Sequence, residues 1–480
     1  MSTLFETLTT ERIGVSGKLD VLAPFNHQRL GQVETVNGEG VDHALKVAHA
    51  CFQDRANWLD AATRIAILER ATAILTERAE AIAISAAEEG GKPLIDSEVE
   101  VARAIDGLKS CVDSLRLQHG REVPMGLNAA SANRLAVTRH EPIGVVVAVS
   151  AFNHPVNLIV HQIGPAIAAG CPVIIKPAED TPLSCFRIVR ILREAGLPEQ
   201  WCQALVTDSH DSTERLVTDP RVGFFSFIGS ARVGWMLRSK LAPGTRCALE
   251  HGGAAPVIVA EDADLESTLP ALAKGGFYHA GQVCVSVQRI FAHRSIAKKL
   301  ADKLADLART MKVGDPVLPD TEVGPLIRPH EVGRIHDWVQ EASEQGTEIL
   351  CGGNPVKDTC YEPTVLFDPP PDITLSCNEI FGPVVAIYPY DDLESAVKQA
   401  NALPYAFQAA VFSQDLDTAL YCYQQLEASA VMVNDHTAFR VDWMPFAGLK
   451  QSGLGVGGIP YTFEDMQIEK MLVIHSKGLS

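Results

Sequence analysis

From Ile143 to Val433 the chain alternates short, unbroken apolar runs rich in β-branched residues with longer stretches whose apolar positions recur every three or four residues. A strand without polar alternation has no wet face, so such runs require a sheet covered on both sides, and the intervening helices supply the cover. The pattern predicts a parallel, doubly wound α/β fold. Strand runs at Val145–Val149, Val173–Ile175, Ala204–Val206 and Phe224–Phe227 form a first set, with helical stretches at 156–169, 183–195 and 231–241. A second set opens at Pro256–Val259 and continues through Arg289–Ala292, Val384–Pro389, Ala409–Phe412 and Ala430–Val433. Its helical stretches are 265–280, 296–311, 330–344, 393–402 and 418–426. Two α/β lobes of similar size follow.

Ahead of these lobes, residues 44–117 carry helical periodicity punctuated by Gly90-Gly91-Lys92-Pro93, which predicts about three long helices. Arg134–Thr138 alternates apolar and polar residues, and Met471–Ile474 is an apolar run with polar flanks. Together they predict a small sheet projecting from the body as an oligomer contact. The glycine-rich run Gly453–Gly458 leads into Ile459-Pro460 and is not expected to open a helix.

At 480 residues, 46% hydrophobic and 21% charged, the composition is that of a globular chain with a large core, neither disordered nor fibrous. A net charge of −18 argues against nucleic-acid and anionic-membrane partners. No apolar run approaches the roughly 18 residues of a membrane span, and Met1–Arg12 has no signal-like apolar core, so a cytoplasmic location is expected. Eleven cysteines without a CxxC pair suggest neither a disulfide framework nor a zinc site, and no metal is expected. Such a set leaves room for one catalytic thiolate.

Cys284 stands apart in Gly281-Gln282-Val283-Cys284-Val285-Ser286, a glycine-hinged connection between a helix and a strand that a ligand can reach. Glu250 precedes a glycine pair in Leu249-Glu250-His251-Gly252-Gly253, at the mouth of another strand. A reachable thiol and a carboxylate in such settings suggest a nucleophile and a general base.

These two motifs, with five more in matching order, resemble those of the aldehyde dehydrogenase superfamily over nearly the whole chain. The others are Ala151-Phe152-Asn153-His154-Pro155, Lys176-Pro177-Ala178-Glu179, Phe227-Ile228-Gly229-Ser230, Glu379-Ile380-Phe381-Gly382-Pro383 and Pro445–Gly453. The resemblance implies that Cys284 is the nucleophile, Glu250 the general base and Asn153 an oxyanion donor. It implies a nicotinamide dinucleotide held by Lys176, Glu179, Gly229, Ser230, Glu379 and Phe381 without a GxGxxG loop. An acidic Glu179 where NADP would bring a 2′-phosphate favours NAD over NADP. The implied organisation is a NAD-binding domain over 1–121 and 142–249, a catalytic domain over 250–434, an oligomerisation arm from 122–141 and 460–480, and a substrate-facing loop with the C-terminal signature over 435–459. A homodimer or homotetramer is expected.

Departures from the family pattern are His251 where leucine is usual, Ala254, Ala447, Ala406 and Cys171. Arg103, His154, His436 and Arg440 fall where relatives hold anionic tails, which tilts the substrate toward a short polar or acidic aldehyde such as lactaldehyde, succinate semialdehyde or a phosphono- or sulfo-aldehyde. The alternatives are a coenzyme A-acylating relative, against which Glu250 argues, a non-redox cysteine acyl-hydrolase, and a non-catalytic binding relative.

Overall fold

The computed structural model describes residues 3–479. The first lobe is built on a sheet in the order Gly453–Leu454, Arg246–Glu250, Val222–Ile228, Val145–Val149, Val173–Lys176, Cys202–Ala204, all parallel except the first. Its central strand Val145–Val149 is buried throughout, as an unbroken valine-rich run requires. Separate apolar clusters fill the two sides of this sheet, one around Val146 and Ile163 and the other around Val147 and Phe225.

The second lobe carries seven strands in the order Glu348–Cys351, Thr364–Phe367, Val384–Tyr390, Val287–His293, Ala255–Val259, Gln408–Phe412, Ala430–Val433. Only the outermost, Glu348–Cys351, runs antiparallel. The N-terminal layer holds four helices, Gly38–Gln53, Ala61–Glu77, Ala79–Gly90 and Leu94–Leu117. Among the described residues no helix is long and apolar enough to cross a membrane.

Three features differ from the sequence reading. Strands Val15–Leu22 and Arg29–Val36 pair antiparallel at the N-terminus; most residues of the first are exposed, so no apolar stripe marks it. The glycine-rich run is followed by a helix after all, Ile459–Asp465, with Pro460 in its first turn, where a missing N–H costs nothing. Ile459, Phe463 and Met466 bury against the first lobe, so the arm's last strand begins only at Gln467. That strand, Gln467–His475, pairs antiparallel with Arg134–Pro142, which in turn pairs with Glu122–Val123. Met471, Leu472, Val473 and Ile474 on it are 42–57% exposed.

The N-terminal helical layer fixes the turn after Asn153 through a buried ion pair. Glu100 accepts from the Val156 and Asn157 N–H groups at 2.8 and 2.9 Å and also holds Lys92 Nζ. Both side chains are at most 1% exposed. Lys92→Met would leave a buried carboxylate uncompensated, a loss of about 3–5 kcal/mol. Its melting temperature should fall by several degrees in a thermal scan, and adding Glu100→Gln should recover part of the loss; an unchanged melting temperature in Lys92→Met would contradict the role of the pair.

Candidate active site

Cys284 follows three consecutive residues in left-handed backbone, His279 (φ 48°), Ala280 (φ 53°) and Gly281 (φ 70°). Two of them carry side chains, at about 1–3 kcal/mol each, a cost tolerated only where the surroundings fix the turn. A side chain on Gly281 would overlap the Gly382 carbonyl. The Gln282 side chain donates to His279 O and Pro325 O at 3.3 and 3.2 Å and accepts from the Ile327 N–H at 3.0 Å. The kink turns Cys284 into a cavity of about 820 Å³ that Asn153, Glu250, Glu379 and Phe381 also line.

Asn153 lies just past strand Val145–Val149 and donates through Nδ2 to Gln282 O at 2.9 Å. Glu250 ends strand Arg246–Glu250, and its carboxylate lies directly over Gly457, where any side chain would overlap it. Burial raises the Glu250 pKa, and Arg440 pulls it back. The Cys284 thiol is pushed up to about 12 by burial, against the pull of Arg440 and with a further push from Glu250 and Glu379. Glu379 is pushed up to about 8 by burial. Its Oε1 is buried and has no partner among the described residues, and its carboxylate stacks over Gly252.

Glu179, Asp180, Gly229 and Ser230 line the same cavity. Ser230 precedes helix Ala231–Arg238, so that helix presents its free N–H groups there. Lys176 does not itself line the cavity; buried behind Glu179, its Nζ lies 3.5 Å from Glu179 Oε1 and 3.3 Å from Pro177 O. Phe381 is held in left-handed backbone (φ 51°) and meets Phe152 edge-on at 6.0 Å.

The four residues expected at the substrate end separate into different environments. Arg103 lines the cavity but is spent on Asp442, to which Nε and Nη2 donate at 3.1 and 2.8 Å. Arg440 lines it too, its guanidinium 3.5 Å from the Phe446 ring centre and its Nη2 3.4 Å from His161 Nδ1. No carboxylate among the described residues lies within ion-pair distance of Arg440, and its Nε is buried without a partner. His154 is buried at the cavity wall with Nε2 3.2 Å from Tyr278 Oη, and burial holds its imidazole well below the ordinary value. His436 is not brought to the cavity: it packs on Gly275, because Thr437 Oγ1 donates to Val285 O at 2.6 Å and sends the chain on toward Ala438 and Arg440.

Sequence reasoning missed Asp442, His161 and Asn157. Asp442 Oδ1 accepts from Asn157 Nδ2 at 3.1 Å and from His161 Nε2 at 2.6 Å, besides Arg103. Asn157 and His161, one turn apart on the helix that follows Asn153, were the available signal. Among the described residues no group of three or more His, Cys, Asp or Glu side chains is placed to hold a metal ion.

The aldehyde dehydrogenase family model matches residues 13–472. The 3-sulfolactaldehyde dehydrogenase of Priestia aryabhattai is 37% identical over 459 residues, covering 95% of both chains. The crystal structure of aldehyde dehydrogenase 21 from Physcomitrella patens, in complex with the reaction product succinate, superimposes with a TM-score of 0.95 at 34% identity, covering 100% of this chain and 99% of that one. Glyceraldehyde-3-phosphate dehydrogenase GapN from Methanocaldococcus jannaschii, complexed with NADP, does so with a TM-score of 0.91 at 33% identity, over 95% and 99%.

Because a thiol pushed up to about 12 is protonated across the neutral range, its reactivity follows the small thiolate fraction. The rate of Cys284 alkylation by iodoacetamide in the cofactor-free protein should therefore climb steadily from pH 7 to pH 10. A plateau by pH 8 would contradict the burial argument.

Proposed function

The chain belongs to the aldehyde dehydrogenase family, and on that premise we propose that it oxidises a short aldehyde with an anionic tail to the carboxylic acid, with NAD preferred over NADP. The observation that carries the substrate reading is Arg440, a cation without a carboxylate partner among the described residues, in the same cavity as Cys284, Glu250 and Asn153. A relative that acts on a sulfonated aldehyde and a neighbouring structure holding succinate support the same reading. Arg103, neutralised by Asp442, serves to hold the loop that carries Arg440, and His154 contributes a neutral polar wall.

The residues present fit a nicotinamide dinucleotide. The partnerless Oε1 of Glu379 wants a hydroxyl donor of the kind a ribose offers, and the helix start at Ser230 suits a diphosphate. Glu179 would hold the adenosine ribose, with Lys176 behind it orienting its carboxylate, and Phe381 would bound the nicotinamide end. The acidic Glu179 disfavours a 2′-phosphate. When bound, the cofactor supplies the acceptor for the hydride that leaves the substrate.

In the proposed sequence the Cys284 proton passes to solvent water and the sulfur adds to the aldehyde carbon, leaving charge on the carbonyl oxygen. Asn153 carries two amide N–H groups. One is fixed on Gln282 O, which orients the other, with the Cys284 N–H, as oxyanion donors. After oxidation the acyl group rests on sulfur as a thioester. Glu250 takes a proton from water, whose oxygen attacks that carbon; the carboxylic acid leaves and the thiol is regenerated. A general base inside the cavity separates this reading from coenzyme A-acylating relatives.

The exposed apolar strand Gln467–His475 supports assembly as a homodimer or homotetramer through the arm. Eleven free cysteines agree with a reducing cytoplasm.

NADH absorbance against matched neutral, carboxylated, phosphorylated and sulfonated short aldehydes tests the substrate reading. Arg440→Gln should raise KM for the acidic aldehydes at least about tenfold, the scale of one charge-assisted hydrogen bond, and spare the neutral ones. Equal effects on both groups would remove Arg440 as the tail-binding residue.

A further inference from the structure

We propose that His251 is a positioning residue that orients the Gly229–Ser230 peptide for the cofactor's diphosphate; the inference rests on reading that turn as the diphosphate site. Strands Val222–Ile228 and Arg246–Glu250 pair as far as Ile228 and Glu250, and the Gly229 N–H still donates to Glu250 O at 3.1 Å. The next group along, the Gly229 carbonyl, has no strand partner. His251 Nδ1 takes its place, 2.9 Å away. Since a carbonyl only accepts, Nδ1 carries the proton. Every peptide in the described chain is trans, so the C=O and N–H of one peptide point in opposite directions. Holding the Gly229 oxygen against the ring therefore turns the Ser230 N–H away from His251, at the point where Ser230 lines the cavity.

The ring itself is fixed. Phe227 and Trp235 meet it edge-on at 5.6 and 5.9 Å, and the backbone N–H of His251 anchors the residue by donating to Ser452 O at 2.9 Å. Gly234, in the first turn of helix Ala231–Arg238, leaves the space the ring fills; any side chain there would overlap Cε1. His251 Nε2 is buried without a partner among the described residues. A second proton would have no acceptor there, so the ring works as a neutral donor wedged between the strand end and the helix start. Leucine, usual at this position in the family motif, cannot donate to the carbonyl.

The test is the NAD dissociation constant of the intact enzyme, measured by calorimetric titration without aldehyde, for three variants alongside their melting temperatures. His251→Leu should weaken NAD binding about tenfold, the scale of one lost hydrogen bond plus the freed peptide. His251→Asn, whose amide nitrogen can occupy the place of Nδ1, should bind within about threefold of the parent. Ser230→Glu, which sets a negative charge at the helix start, should weaken NAD binding more than either. NAD binding unchanged in His251→Leu but weakened in Ser230→Glu would overturn the role of His251 and leave the diphosphate site standing. Unchanged binding in Ser230→Glu would overturn the site reading itself. Equal weakening in the leucine and asparagine variants, tracking their melting temperatures, would reduce His251 to packing.

Discussion

One carboxylate organises the end of the cavity that Arg103 and Arg440 line. Asp442 accepts from Arg103, Asn157 and His161 at 2.6–3.1 Å, so residues from helix Leu94–Leu117, the helix after Asn153 and the C-terminal loop share one buried charge. These partners draw its pKa far down despite burial, and it remains an anion. A buried anion with an arginine on both its oxygens is satisfied and immobile. The consequence falls on the neighbour two residues back. Arg440 enters the same region with no carboxylate in ion-pair distance among the described residues, and a buried guanidinium without such a partner has a strong demand for an anion.

Charge balance also explains the resting state of the proposed nucleophile. Burial, Glu250 and Glu379 all disfavour a thiolate at Cys284, while Arg440 and, more weakly, the Cys284 backbone N–H favour it. An anionic substrate seated on Arg440 would withdraw that support, whereas a cofactor bringing a positive nicotinamide ring would add to it. The left-handed run at 279–281 stores strain next to that thiol, and the Gln282 side chain, bound to three backbone groups, fixes the turn in that geometry.

The doubly wound sheets were legible because buried parallel strands leave an unambiguous apolar run, as at Val145–Val149. The seven motifs located the cavity residues because each lies on a strand end or turn whose local sequence is distinctive. The exposed N-terminal hairpin was invisible for the opposite reason: strand Val15–Leu22 buries too little to write a pattern. Arg103 lines the cavity, but its partner lies 339 residues away, and no local signal distinguishes a neutralised arginine from a free one. His436 misled because position in a loop does not give direction; one hydrogen bond from Thr437 decides which neighbours face inward. The helix after the glycine-rich run was missed because Pro460 was read as a breaker, while a first-turn proline is compatible with a helix.

The central claim is that Cys284 carries the acyl group and Glu250 releases it. Rapid-mixing measurement of NADH in Glu250→Gln, with an acidic aldehyde and saturating NAD, tests it most directly. The account predicts a burst close to one NADH per active site followed by near-arrest, because acylation proceeds and thioester hydrolysis does not. Steady turnover at the parent rate, or no burst in a variant that still binds NAD, would contradict the division of labour between the two residues.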